Sequence, residues 1–564
     1  GFVAGASFGL LTDGLSALLL VTVAAVTLLV LVFAAVDVDE TPARFHGLML
    51  VFEGAVLVTL LSSNLVSLLA AWEVMGATSY ALIGYWWREE HRVASGAVAF
   101  ITTRAADLGL YAAVGAALAA APSLELADLQ AASGGWRHVI AGGLLLAALG
   151  KAAQLPFSFW LSRAMEGPSP VSALLHSAAL VAMGGYLLLR VAPVLAAVGW
   201  AGHVAAWVGA LTTVGLGLVA VAQRDLKQLL AASTAAQLGF VVAAAGVGAV
   251  AGGTAHLVAH AATKAALFVV AGAWLRALGS KQLVAVRGAA RRWPLVGAAA
   301  AIALLSLAGV PPLALWATKD DVLASAKEAS LPLYLVLVAG ARLSAAYAGL
   351  ALVQVWRTPA ADTEALWDDE RPGTRTVTLL EQAPVVVLAL GAGVLELLVL
   401  PPFGGRLRAS LGAEGEPTAG AAEMAVTGAL ALLVVVTVVL LVRRVGALDR
   451  LPAPNPLGQW LFLEAASQQG VVRPVRWMAE RLARFDDHVL DAGVMRTAAG
   501  ASALARRAAR FDDRGVDAGV ASVARGARRA GRLALRPQTG QLHQYYLQAV
   551  AVVAVAFVLL IVVR

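Results

Sequence analysis

The chain has 564 residues, of which 60% are hydrophobic and only 14% are charged, and its formal net charge is +7. Soluble domains are nearer half apolar and a quarter charged, so this composition excludes an ordinary soluble protein. The sequence has no cysteine and shows neither a P-loop nor a dinucleotide fingerprint. Disulfide bonds and thiolate-ligated iron–sulfur clusters are therefore excluded, and the chain has no visible means of redox or phosphoryl chemistry.

Apolar runs long enough to cross a bilayer, roughly 20 residues each, follow one another along almost the whole chain. The first run starts at about Phe8, and no signal-peptide pattern is visible at Gly1. The fold class predicted is an all-α integral membrane protein with about fourteen transmembrane helices. The predicted spans are 8–34, 45–62, 64–86, 94–120, 137–158, 170–193, 201–221, 226–248, 251–277, 293–326, 331–356, 383–403, 422–443 and 544–563.

Two of these spans contain prolines and are predicted to be broken helices. The fifth carries Pro156 soon after Lys151, and the tenth carries Pro311 and Pro312 before Lys319. Proline frees a backbone carbonyl, which a membrane tolerates only where protein or water satisfies it. The two breaks are five helices apart, which favours two inverted five-helix repeats with a transport site near the midplane.

The basic residues of the predicted loops lie mostly on one side of the membrane. The positive-inside rule makes that side the cytoplasm and puts the C-terminus outside. The cytoplasmic set is Arg44, Arg88, Arg92, Arg163, Arg224, Lys227, Arg276, Lys281, Arg287, Arg291, Arg292, Arg443 and Arg444, against Arg137, Lys327, Arg406 and Arg408 on the other side.

The segment 455–543 is basic and repeats itself. It holds fourteen arginines against eight acidic residues, and ARFDDHVLDAGV at 483–494 returns as ARFDDRGVDAGV at 509–520. The 26-residue period is close to a whole number of helical turns. We expect a long amphipathic helix along the cytoplasmic membrane surface, interrupted at its glycines; the alternative is a polybasic linker that touches lipid headgroups.

Buried lysines give the strongest functional signal. The chain has six lysines against 36 arginines, and three of the six, Lys151, Lys264 and Lys319, lie inside apolar spans. Arginine stays protonated in proteins, whereas a buried lysine can release its proton. A charge inside a membrane span is costly and marks a pathway by default. Proton transfer is therefore favoured over structural ion pairing.

The ninth span contains HLVAHAATKAAL, in which His256, His260 and Lys264 are four residues apart and share one helical face. Imidazoles titrate near neutrality and can relay protons. A zinc site is the alternative, but lysine is a poor ligand and no glutamate follows His256 in a protease pattern. His176 could continue the relay towards Lys151.

Several acidic and basic residues could support such a path. Glu73 lies in an apolar run, and Arg104 and Asp107 are spaced to form an ion pair. Asp225 and Lys227 mark either a proton uptake point or a solvated helix start. For three further intramembrane charges structural pairing is favoured: Glu53, Arg342 and Glu396.

Several long motifs, in order, resemble the antiporter-like subunits of respiratory complex I (NADH:quinone oxidoreductase). The resemblance is greatest to the distal members, which are of the subunit L type. They are KAAQLPFSFWLSRAMEGPSPVSALLHSAALV, DLKQLLAASTAAQLGF, AHLVAHAATKAALF, GVPPLALWATKDDVL and the tail motif QTGQLHQYYLQ. The resemblance covers nearly the whole chain. The family carries about two further spans before the point where this chain starts, so a missing N-terminus is expected. Glu53 departs from the family, which has an apolar residue in that span.

The resemblance implies a role for each matching residue. Glu73 and Lys151 match the family's coupled acid–lysine pair, with Arg104 and Asp107 beside it, and Lys319 matches the lysine that exchanges protons with the outside. Asp320, which follows it, is expected to support that exchange. The central hydrophilic axis is matched by His176, His256, His260 and Lys264.

The implied organisation is an N-terminal span (1–45), two antiporter-like halves (46–200 and 201–357), peripheral spans (358–454), the lateral helix (455–543) and a last span (544–564). The implied partners are other antiporter-like subunits, redox subunits that hold flavin and iron–sulfur clusters, and membrane lipids, with no cofactor or metal in this chain and no nucleic acid. The implied location is the bacterial inner membrane. The alternatives are a subunit of an Mrp-type sodium/proton antiporter, of a membrane-bound hydrogenase or of an inorganic-carbon uptake complex, and a purely structural membrane scaffold.

Overall fold

A computed structural model describes residues 7–358, 372–445 and 456–564. In these ranges the chain is helical, with isolated bridges such as Leu10–Ser62 but no strands. It divides into two compact units, 1–466 and 467–564.

The first unit consists of helices that are mostly long and apolar. Their bounds are α1 Gly14–Asp37, α2 Pro42–Leu61, α3 Leu65–Ile83, α4 Glu90–Ala120, α5 Trp136–Lys151, α6 Phe159–Ala164, α7 Ser169–Ser177, α8 Leu180–Arg190, α9 Ala192–Val198, α10 Trp200–Ala222, α11 Leu226–Val247, α12 Val250–Leu278, α13 Ala289–Arg292, α14 Pro294–Ala308, α15 Ala314–Ala329, α16 Leu331–Trp356, α17 Leu379–Val394, α18 Phe403–Ser410, α19 Ala421–Val445 and α20 Leu463–Ser467. Short 3₁₀ turns occupy Leu126–Ala131, Leu395–Leu398 and Trp460–Phe462.

Twelve helical segments within the described residues are long and apolar enough to span a membrane. They correspond to twelve of the fourteen predicted spans. The other two predictions, 137–158 and 293–326, fall on the proline-containing segments. In the first, α5 ends at Lys151 and the next helix, α6, begins only at Phe159; the second is divided between α14 and α15. The predicted breaks are therefore present, whereas the inverted repeats and the domain boundaries stay predictions.

Helix ends and helix contacts follow from local sequence. Asn64 accepts hydrogen bonds from the backbone N–H groups of Val66 and Ser67 and so caps α3. Gly248 ends α11 with φ of 81°, a conformation that glycine adopts without strain. Between α10 and α11, a Cβ added at Gly209 would lie 2.4 Å from the carbonyl oxygen of Gly239, so glycine permits this close helix contact.

The second unit contains α21 Arg473–Phe485, α22 Ala492–Phe511, α23 Ala518–Leu535 and α24 Leu542–Val562. Single π-helical turns at Gln468–Val472, Asp486–Asp491 and Asp512–Asp517 connect helical segments up to Leu535. The predicted long helix is therefore present. Two of its three irregular turns contain the repeated Asp–Asp pairs. Gly470 and Gly515 lie in irregular turns, as expected, whereas Gly493, Gly500 and Gly519 lie in regular α-helix, so the helix is irregular at some of its glycines and not at the others.

Candidate functional site

The first site residue, Lys151, is fully buried at the last position of the half-helix α5. Its Nζ lies 3.1 Å from Oδ2 of Asp107 on α4 and 4.9 Å from the centroid of the Trp72 ring. Trp72 donates from Nε1 to the other Asp107 oxygen at 2.6 Å. The carbonyl end of a helix favours a cation, so the break after Lys151 supplies part of its environment.

Glu73 pairs with a different residue from the one expected. It accepts a hydrogen bond from Arg104, and the structure records no ion pair between Glu73 and Lys151. The predicted Arg104–Asp107 pair is also wrong, because each residue binds a partner on another helix. The two side chains of the Glu73–Arg104 pair remain 25% and 40% exposed near the middle of α3 and α4.

Lys264, His260 and His256 share one fully buried face of α12, as predicted. Lys264 donates from Nζ to the carbonyl oxygen of Leu230 at 3.0 Å and to the hydroxyl of Ser233. Both anchors lie on α11. Among the described residues no group of three or more His, Cys, Asp or Glu side chains is placed to hold a metal ion.

Lys319 lies just after the second break, in the first turns of α15, and is buried. It donates from Nζ to the carbonyl oxygen of Leu307 at 2.7 Å and to the hydroxyl of Ser344 at 2.9 Å. Leu307 belongs to the last turn of α14, so this lysine also lies at the carbonyl end of a half-helix. Lys151 precedes its break and donates to Asp107, whereas Lys319 follows its break and donates to the last turn of α14.

His256 connects the face of α12 to Lys319. Its Nδ1 lies 3.2 Å from Oγ1 of Thr318, the neighbour of Lys319. The Phe240 ring is close to both groups, with its centroid 5.5 Å from that of His256 and 5.9 Å from Nζ of Lys319.

His176 occupies the last turn of α7, between the two lysine sites. Its ring centroid lies 6.1 Å from that of Trp160 and 5.9 Å from that of Phe268. Trp160 donates from Nε1 to the carbonyl of Gly150, next to Lys151, and Phe268 is one turn from Lys264. These contacts link six of the predicted residues into one buried row, whereas Glu73 is 25% exposed and lies outside it. The row consists of Lys151, His176, Lys264, His260, His256 and Lys319.

Five ring nitrogens in this row have no hydrogen-bond partner among the described residues: both of His176, both of His260 and Nε2 of His256. Buried polar groups are almost always hydrogen-bonded to protein or to ordered water. These nitrogens are therefore available to water and to a transferred proton.

Two of the remaining predicted residues, Asp225 and Lys227, are placed at the start of α11, and Asp320 lies within α15. Asp225 caps α11 by accepting from the backbone of Gln228 at 2.9 Å. Lys227 is buried and donates to the carbonyl of Gly167 at 3.1 Å. The interpretation of this residue as part of a solvated helix start is therefore wrong. Asp320 accepts from the Thr427 hydroxyl at 2.6 Å.

Sequence reasoning missed the uncharged members of the site. Ser233, Ser344 and Thr318 contact the lysines or histidines directly, and Gln237 donates to the Tyr347 hydroxyl at 2.7 Å in the same core. The sequence could have indicated some of these residues, because LLAASTAAQLGF places three polar residues inside an apolar span. Of the unassigned charges, Glu53 accepts from Thr27 at 2.7 Å, Arg342 donates to the Thr427 carbonyl, and Glu396 is buried in a short 3₁₀ turn.

This arrangement of broken helices and enclosed lysines lies largely within residues 62–344, and these residues match the family model described as "NADH:quinone oxidoreductase/Mrp antiporter, TM". The chain belongs to this family. Among curated relatives, chloroplastic NAD(P)H-quinone oxidoreductase subunit 5 of Zygnema circumcarinatum is 36% identical over 340 residues, which are 56% of this chain and 48% of that protein. NAD(P)H-quinone oxidoreductase chain 5 of Picosynechococcus is 35% identical over 360 residues, 60% of this chain and 54% of that protein. The chain thus spans about half the length of the curated relatives it matches.

Two solved structures of membrane complexes are similar to this one. A chain of the Mrp complex from Dietzia sp. superposes with a TM-score of 0.71 at 26% identity, covering 87% of this chain and 55% of that one. A chain of respiratory complex I from Thermus thermophilus with bound aureothin superposes with a TM-score of 0.60 at 26% identity, covering 71% and 88%. The expected helical membrane fold is confirmed.

Proposed function

We propose that this chain is a proton-translocating, antiporter-like membrane subunit of a complex I-type NADH:quinone oxidoreductase in a bacterial inner membrane. The observation that carries the proposal is the buried row itself. Lys151 is the last residue of the half-helix α5, Lys319 donates to the last turn of the half-helix α14, and Lys264 and the three histidines belong to the same buried row. A purely structural scaffold has no use for so many enclosed ionisable groups, each of which is costly in a membrane.

The ion pairs beside Lys151 offer a way to move charge. Asp107 and Arg104 are three residues apart on α4, with Lys151 bound to the first and Glu73 to the second. If Arg104 turned to Asp107, Lys151 would lose its counter-charge, and in a low-dielectric interior that change strongly disfavours the ammonium. Lys151 would then pass its proton along the row towards His176 and Lys264. Lys319, bound to Ser344, would release a proton to the outside.

The energy for this exchange must come from other subunits. The chain contains no cysteine, and the named relatives are subunits of NAD(P)H-quinone oxidoreductases, so we assign flavin and iron–sulfur chemistry to partner proteins. The half-exposed Glu73–Arg104 pair favours the same conclusion. An ion pair facing lipid at mid-span is unfavourable, and a neighbouring membrane subunit would cover it.

A subunit of an Mrp-type sodium/proton antiporter is the second candidate, because the Dietzia Mrp chain superposes over 87% of this chain. The two functions differ in partners and in driving force. The test is to purify the tagged full-length protein from native membranes in mild detergent and to reconstitute it in vesicles. Flavin and iron–sulfur subunits in the eluate, with proton uptake driven by NADH and quinone, would support the complex I assignment. Sodium-driven proton exchange without redox partners would support the antiporter.

A further inference from the structure

A cleft of about 600 Å³ lies at one end of the first unit, where the loop that joins α1 to α2 meets the loop that joins α3 to α4. Residues between 37 and 44 line one side of it, and residues between 85 and 92 line the other. All four helices are long and apolar enough to span a membrane, so the loops between them lie at the level of the lipid headgroups. The volume is typical of a site for a small molecule.

The aromatic residue Tyr85 holds the two loops together. It is only 2% exposed, and its hydroxyl lies 2.7 Å from the carbonyl oxygen of Glu40 and 2.7 Å from the hydroxyl of Thr41. Thr41 has a φ of 45°, a left-handed conformation that is strained for a residue with a side chain. The contacts with Tyr85 therefore maintain a loop shape that the backbone alone disfavours, and such strained positions cluster at ligand sites.

The charged side chains of the cleft include two exposed carboxylates and two exposed guanidinium groups. Asp39 and Glu40 lie on the first loop, Arg44 lies in the first turn of α2, and Arg88 lies on the second loop. The structure records no ion pair for these four side chains within its described residues. Arg92, in contrast, is buried and is paired with an acid at 2.7 Å. The cleft therefore offers a ligand both signs of charge.

Both exposed guanidinium groups are positioned by aromatic rings. Arg44 lies 5.2 Å from the centroid of the Tyr85 ring, and Arg88 lies 5.0 Å from that of Trp87. A guanidinium over a ring still presents its N–H edge to a phosphate. A quaternary ammonium group such as choline binds through ring faces and would compete with the arginines for them. A primary ammonium has three N–H donors and suits the carboxylates instead.

We propose that this cleft binds a phosphoethanolamine group, with its phosphate on Arg44 and Arg88 and its ammonium on Asp39 and Glu40. The lining contains four acids against three arginines, so a phosphate without a cation of its own is disfavoured. The headgroup of phosphatidylethanolamine and a soluble phosphoethanolamine compound share this chemistry.

The surroundings of the cleft favour the lipid as the source of this group. Trp87 is 59% exposed, and tryptophan is enriched where a protein crosses the membrane–water interface. Leu50 and Val51, less than two turns after Arg44 on α2, are 57% and 53% exposed. These apolar side chains give the acyl chains of a bound lipid a surface to lie on while its headgroup occupies the cleft.

Native mass spectrometry of the delipidated full-length protein tests the proposal. The protein is offered phosphatidylethanolamine, phosphatidylcholine and phosphatidylglycerol with the same acyl chains. We expect phosphatidylethanolamine to bind about tenfold more tightly than either of the others, because choline has no N–H donor and glycerol has no cation. Equal affinities for the three lipids would overturn the proposal. Glycerophosphoethanolamine is then added as a soluble competitor: displacement of the lipid would assign the site to a soluble ligand, and retention would assign it to the lipid.

Variants of the four charged residues test how the group is recognised. Asp39→Asn/Glu40→Gln should remove the preference for phosphatidylethanolamine over phosphatidylglycerol. Arg44→Gln/Arg88→Gln should weaken the binding of both lipids about tenfold. Arg291→Gln, at an exposed arginine outside the cleft, is the matched control and should bind like the unaltered protein. The midpoint of thermal unfolding without lipid reports whether each variant folds. A folded Asp39→Asn/Glu40→Gln protein with an unchanged lipid preference would contradict the proposal.

Discussion

Lys151 and Asp107 are 44 residues apart in the sequence and meet inside the first unit, with Nζ 3.1 Å from Oδ2. Both are buried, and Asp107 is held in place from its other side by Trp72. Removing one partner of a buried ion pair leaves the other uncompensated, which costs about 3–5 kcal/mol while it stays charged. The lysine can avoid that cost by giving up its proton.

The first prediction concerns Asp107→Asn. This change keeps the shape of the side chain and removes its charge, so Lys151 should remain neutral and stop exchanging protons. We expect proton translocation in vesicles to fall by about a hundredfold, the scale of losing a positioned proton-transfer group, while the complex still assembles. Glu90→Gln, at an exposed acid in the first turn of the same helix, is the matched control. Normal pumping by Asp107→Asn would remove Lys151 from the path.

The second prediction concerns Glu73→Ala. With Glu73 gone, Arg104 is free to approach Asp107, three residues away on its own helix, and to draw it from Lys151. We expect proton pumping to be abolished and assembly to be unchanged. Because the present partner of Glu73 is Arg104, the double variant Glu73→Ala/Arg104→Ala should recover part of the activity. Proton pumping at the normal rate by Glu73→Ala alone would contradict the proposed proton path.

The third prediction separates charge from proton release at Lys319. Lys319→Ala and Lys319→Arg are both expected to abolish pumping, because arginine keeps the charge but does not release its proton. Lys327→Ala, at a lysine whose side chain is 54% exposed, should pump normally. Co-purification of the neighbouring subunits reports assembly. Full activity of Lys319→Arg would show that the site needs only a fixed charge.

The broken spans could be predicted from the sequence because proline disrupts a helix. The buried face of α12 could be predicted because His256, His260 and Lys264 are four residues apart. Sequence reasoning missed the break between α7 and α8, where no proline stands. It also missed the exchange of partners around Lys151. Spacing of three on one helix favours the Arg104–Asp107 pair, but α3 and α5 offer each residue a partner on another helix, and such contacts have no local signature. The π turns are likewise not predicted when the 26-residue period is treated as close to a whole number of helical turns. At about 100° per residue that period exceeds seven turns by about 80°, and this mismatch could have indicated the π turns.

The fourth prediction concerns pH and the Asp13–Arg190 pair at the start of α1. Burial would raise the pKa of the Asp13 carboxyl, but hydrogen bonds from Arg190 and Ser16 outweigh it and lower that pKa to about 2. A carboxyl with a lowered pKa stabilises the fold above its unfolded pKa of 3.8 and loses that contribution as pH falls towards 2. The side chain is 39% exposed, so solvent screens the pair and the contribution is small.

Asp13→Asn retains the side-chain oxygen that caps α1 and removes the charge. We expect it to lower the midpoint of thermal unfolding by about 1–2 °C at neutral pH. The difference from the unaltered protein should shrink as the pH falls below 4, because protonation then removes the same charge from Asp13. Unfolding in detergent across this pH range is the measurement. A difference that stayed constant with pH would assign the effect to the cap and not to the ion pair.

The fifth prediction concerns the segment 455–543. Its first part binds the first unit: Trp460 donates to Gln228 at 3.2 Å, and Glu464 pairs with Arg163 at 2.7 Å. The helix of residues 468–535 is almost wholly exposed. Deleting 455–543 should therefore weaken co-purification of neighbouring subunits, and deleting only 468–535 should weaken it as much, because the exposed face is the part available to partners. If the deletion of 468–535 left co-purification unchanged, the long helix would not be what holds the neighbouring subunits. If only the larger deletion reduced co-purification, that role would belong to the residues around Trp460.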